Sequence, residues 1–164
     1  MSGTDGEDDE DAALAALSRE LAFEHSGHIY ARECSANAWY AIGALHLRRQ
    51  HVDQARAAFQ QTLTRIHGHP LASAGLSAIS PAVLRAQAPR AERTAPSVEQ
   101  AIVQAAMLAL RGNHTQAAQG CADALSQAVP GAAGWSLPLE PLLHATAHRD
   151  VWARALKIVH DRAL

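Results

Sequence analysis

Slid by 62 residues, the chain lies over itself without a gap. Arg49 falls on Arg111, Gln54 on Gln116, Ala55 on Ala117 and Leu63 on Leu125. Gly43 meets Ala105, Leu45 meets Met107 and Phe59 meets Cys121, although Ile42 faces the polar Gln104. The turns Gln50-His51 and Gly112-Asn113 coincide. A chain built from such a repeated unit has few folds open to it, because each copy must bury its apolar face against a neighbour.

The unit itself reads as helix, short turn, helix. Apolar residues recur at three- and four-residue spacing. A first helix fits Asp11–Glu24 and a second about Ile29–Arg49, the latter with Ile29, Ala36, Trp39, Tyr40, Ile42, Gly43 and Leu47 as its apolar content. Asp53 opens a third, which ends at His67-Gly68-His69-Pro70. Prolines at 70, 81, 89 and 96 divide the next stretch, leaving short helices at about 71–79 and 82–88 and an exposed connector at 89–96. Ser97 and Gln100 form a capping box for a helix that Gly112-Asn113 closes. A helix over 115–128 follows, then a loop at 131–138 and a final pair, Leu139–His148 and Asp150–Ala163, with Asp150 as cap. The 37 alanines and the 4% of aromatic residues suit closely packed helices and not a β-sandwich.

Within Trp39-Tyr40-Ala41-Ile42-Gly43-Ala44-Leu45-His46, continued by Ala55 and Phe59, the chain resembles a tetratricopeptide repeat. That pattern is W-x2-L-G-x2-Y, then A-x3-F, then P. Trp39, Ile42 and Gly43 match its first part, and Ala55 and Phe59 its second. His46 stands in place of the usual Tyr, and Gln50 where a turn glycine is common. The resemblance implies an all-α fold of antiparallel helical hairpins stacked as a short right-handed solenoid. A disordered acidic tail at 1–10 then precedes a single domain at 11–164. That domain has a clear repeat at 36–70, a degenerate segment at 70–97, a second repeat at 98–130 and a weak third at 138–163, marked by Leu143 and Ala153.

The resemblance further implies a noncatalytic interaction module that holds a peptide or partner helix in a concave groove. By helical position the groove carries Asn37, Tyr40, Ala44 and Arg48, and in the second repeat Glu99 and Ile102, with Ala106 and Leu110 beyond them. Each has a plainer reading. Trp39, Gly43, Ala55 and Phe59 read as packing, Tyr40 as a residue that can pack on a preceding helix, Arg48 and Arg49 as a solvated helix end. The first helix has no hairpin partner before it, so an exposed apolar face there would point to a homodimer, or to a regulatory or chaperone-like piece of a larger assembly.

Charge narrows the partner. The net charge of −2 averages six acids among residues 5–11 with a body near +4. That balance does not make a nucleic-acid surface. No apolar run reaches the ~18 residues needed to span a bilayer, so no membrane insertion is expected. The start is acidic, unlike a signal peptide, and the cytoplasm is the expected compartment.

Ten histidines are the rival signal. His144 and His148 are spaced to share one helix face, which gives the alternative of a metal-binding helical protein. His25/His28 and His67/His69 are shorter pairs, and His160 lies on the next helix. No motif supplies the three ligands of a catalytic zinc, and His-Glu-x-x-His is absent, so no metal or other cofactor is assigned. Cys34 and Cys121 are isolated and read as small hydrophobes, with His28 the nearest base to Cys34 in sequence. No P-loop, G-x-G-x-x-G or G-x-S-x-G occurs, and no enzymatic activity is expected.

Overall fold

The computed structural model describes residues 4–26, 29–80, 97–129, 134 and 136–163. Among them are seven α-helices and no strand. They are α1 (Thr4–Leu21), α2 (Ala31–Arg48), α3 (Val52–Arg65), α4 (Pro70–Ile79), α5 (Val98–Ala109), α6 (His114–Gln127) and α7 (Arg149–Ala163). The chain divides into two compact units, Met1–Ile79 and Ser80–Leu164. The helix expected at 82–88, the connector at 89–96 and most of the loop at 131–138 lie outside the described residues.

In the first unit α2 and α3 form an antiparallel hairpin, with α1 against α2 and α4 across both. Phe59 is its central side chain and is fully buried. The ring fits because two glycines face it. A Cβ on Gly43 of α2 would lie 2.7 Å from the ring, and one on Gly75 of α4 would lie 2.5 Å from it. Both glycines are therefore required by close approach rather than by backbone conformation.

In the second unit α5 and α6 form the corresponding hairpin, and α7 packs on α6. Through the second helix of each hairpin the 62-residue correspondence holds to the single residue. The second helix of each hairpin has 14 residues, starting at Val52 or His114 after the N-caps His51 or Asn113. The turn bonds repeat: the His51 amide donates to the His46 carbonyl at 2.9 Å, and the Asn113 amide to the Leu108 carbonyl at 2.9 Å. Ala55 and Ala117, Phe59 and Cys121, Ala44 and Ala106, and Tyr40 and Ile102 are buried in pairs. At the turn Gln50 has φ +60° and Gly112 has φ +80°. The left-handed backbone is thus kept in both copies, although only one uses the residue that adopts it freely.

Three expectations change. The acidic stretch read as a disordered tail is taken into α1, which begins at Thr4. Carboxylates near a helix N-terminus favour the dipole. Glu10 also pairs with Arg48 at 2.8 Å and Arg49 at 2.9 Å, and Asp11 with Arg49 at 2.6 Å.

The helix expected over Leu139–His148 does not form. A 3₁₀ turn over Leu137–Leu139 leads instead into successive turns. Pro138 and Pro141 remove two amide donors, and His144 sits at φ +53°, which a continuous helix excludes. The support for a third repeat is correspondingly reduced: Leu143 is buried but Ala153 is exposed, and Trp152 and Ala155 are the buried residues of α7.

Ile29, assigned to the apolar face of the second helix, lies outside α2 and is 83% exposed.

Candidate functional site

The residues expected to line a groove fall into two groups. Asn37 and Glu99 are exposed on α2 and α5. Arg48 is exposed in part and is engaged with Glu10. Tyr40, Ala44 and Ile102 are core residues. Tyr40 is closed off by the turn before α4, its ring 5.1 Å from that of His69 and 6.1 Å from that of Phe59. The plainer reading of Tyr40, as packing, is the arrangement present, and the helix it packs on follows it in sequence rather than precedes it.

A second group of polar contacts in the first unit lies at the far end of the α2–α3 hairpin, away from the Glu10 pairs. Arg65 donates to both Glu24 oxygens, at 2.6 and 2.7 Å, and to Ser35 Oγ at 2.6 Å. Its guanidinium lies 5.7 Å from the Trp39 ring. The Arg65 hydrogen bond holds the Glu24 carboxyl below its usual range. On either side of Glu24 in sequence are exposed apolar side chains: Phe23 is 69% exposed, Ile29 83% and Tyr30 68%. The exposed thiol of Cys34 lies one turn into α2.

Three histidines come together in the second unit. The His114 ring of α6 stacks on His148 with centroids 4.0 Å apart, and His144 stands 6.2 Å from His148. The sequence spacing pointed to His144 and His148 but not to His114, since His114 is contributed by another helix. Burial lowers the His114 pKa, and so does His148, while the Leu143 carbonyl beside the ring acts the other way. Nδ1 of His114 is buried without a hydrogen-bond partner. Among the described residues no three His, Cys, Asp or Glu side chains are arranged to hold a metal ion. His160 is exposed on α7.

In the first unit the corresponding turn carries His46 and His51, with ring centroids 5.8 Å apart. Burial lowers the His46 pKa, helped by His51 and Arg49. His69 has a different part. Its Nδ1 accepts the Ala72 amide at 3.2 Å and its carbonyl the Ser73 amide at 3.0 Å, so it caps α4 directly before Pro70. Burial lowers its pKa as well. Cys121 is buried against Ala101, and burial pushes its thiol up to about 12, which removes it as a nucleophile. His28 lies outside the described residues.

No helix is long and apolar enough to cross a membrane among the described residues. No protein-family model, curated protein or solved structure matches the chain.

Proposed function

We propose that the protein is a noncatalytic interaction module of the tetratricopeptide type that binds a protein or peptide partner through exposed residues of the first helix of each hairpin. The observation that supports this reading is the residue-for-residue register of α2–α3 with α5–α6. A repeated hairpin with small residues at its contacts is a scaffold for presenting side chains, and repeat proteins use the surfaces so formed for binding. Asn37 and Glu99 are the two proposed contact residues that are open to a partner without breaking an internal bond or the core. The exposed Phe23, Ile29 and Tyr30 add apolar area of the kind that interfaces cover.

The test is affinity capture by the full chain, compared with Asn37→Glu and Glu99→Arg. Each variant is expected to weaken a captured partner by about tenfold, the worth of one good interface contact. Undiminished capture by both, with the helical spectrum unchanged, overturns the assignment. Tyr40→Ala does not serve here, because it tests packing.

A further inference from the structure

The histidine cluster of the second unit is not used by the proposed function, and its placement is unusual for titratable groups. His114 is the first residue of α6, and the His148 carbonyl accepts the Trp152 amide at 3.1 Å as the first bond of α7. Both imidazoles therefore sit at the positive ends of helix dipoles, where a cation is disfavoured. Their rings also lie 4.0 Å apart, tilted by 34°, so that a charge on one opposes a charge on the other. A second proton on His114 would go to Nδ1, a buried atom with no acceptor. On His114 burial and the neighbouring ring act against the charged form, and the Leu143 carbonyl acts the other way.

The same rings join two parts of the unit. His114 belongs to α6. His148 ends the run of turns that carries the buried Leu142 and Leu143 and leads into α7. We propose that His114 and His148 form an acid-released latch: uncharged, the stacked rings hold the 140–148 turns and the start of α7 against α6, and charged, they drive that segment off it.

Other charged groups of the same unit lie on the segments around the pair. Glu140 accepts the Leu142 amide at 3.1 Å. Asp123 of α6 pairs with Arg154 of α7 at 3.3 Å, and Lys157 with Asp161 at 2.8 Å. Arg162 donates to the Ala128 carbonyl. Glu99 opens α5 and Arg111 lies in the turn after it, while Arg149 and Asp150 follow His148 as one cation and one anion. His144, 6.2 Å from His148, adds a third imidazole and no carboxylate. The named charge acting on His114 is that of His148. The proton comes from solvent, and no bond other than N–H forms. Because the closed state takes up the proton later than the open one, acid favours opening as pH falls below the ordinary histidine value of about 6.5.

The experiment is a titration of the full chain by NMR, following the imidazole Cε1–Hε1 signals and amide exchange corrected for its intrinsic pH dependence. His114 is expected to titrate below its ordinary value and to shift upward in His148→Gln. Between about pH 7.5 and about pH 5, exchange at the Ala147 and Trp152 amides is expected to rise roughly tenfold. Exchange at Ala101, in the capping-box turn of α5, serves as the control within the same unit and stays near constant. An ordinary His114 titration, no change in it on His148→Gln, or equal protection of Trp152 at both pH values overturns the latch. So does loss of the acid response on adding a chelator, which would mean a bound metal. If His148→Gln does not fold, the titration and exchange of the unsubstituted chain decide alone.

Discussion

Gln50 and Gly112 occupy one position of the repeated hairpin, and both take a left-handed backbone. A residue with a Cβ costs about 1–2 kcal/mol there, and glycine does not. Gln50→Gly is therefore expected to stabilise the first unit by about 1 kcal/mol, and Gly112→Ala to destabilise the second by a similar amount, both read by urea unfolding. Phe59 makes the opposite case. Its ring fills the space that Gly43 and Gly75 leave open, so Gly43→Ala forces the ring to move and costs about 1–3 kcal/mol despite the helix preference of alanine. Phe59→Ala empties the same space at about 3–5 kcal/mol. Gly43 and Phe59 were legible as packing because the motif specifies them. Gly75 was not, because a glycine within a short Ala-rich helix carries no signal until the ring it faces is placed.

Among the elements, α5 was legible at its start, where Ser97 and Gln100 exchange the hydrogen bonds of a capping box. A cap is a local device, and local devices are what a sequence displays. The 140–148 turns were not legible, since the spacing of Leu139, Leu142, Leu143 and His148 is helical, and beside Pro138 and Pro141 the departure rests on the left-handed backbone of His144, which no sequence signal marks. His69 shows how an element can depend on pH. Its neutral Nδ1 accepts an amide of α4, which an imidazolium cannot do. Its pKa is lowered by burial, so the unfolded chain binds the proton first and α4 loses support as pH falls below about 6.5. His69→Asn, which keeps an acceptor, is expected to retain α4 at low pH. His69→Ala is expected to cost about 1 kcal/mol at neutral pH. Hydrogen exchange at Ala72 and Ser73 reads both.

At the scale of the whole chain, the division of charge seen in the sequence is put to use rather than left in solution. The acids of α1 meet the arginines that end α2, and Glu24 meets Arg65. Such partly exposed pairs weaken in salt. The amides of α1 are expected to exchange faster in about 1 M NaCl than at low salt, with those of α3 little changed. Glu10→Gln, which removes the carboxylate shared by Arg48 and Arg49, is expected to reproduce that effect without salt. The candidate contact residues were only half legible at this scale. Asn37 and Glu99 are exposed, as their helical position implies, but a groove read from one helix could not show that the turn before α4 covers Tyr40.

The two cysteines give the chain a clock of its own. Cys34 is exposed and Cys121 is sealed beneath α5 with a thiol pushed up to about 12. A maleimide dye should attach once, at Cys34, without any engineered site. The second addition waits for the α5–α6 hairpin to part. Its rate, followed by intact mass, counts the openings of that hairpin.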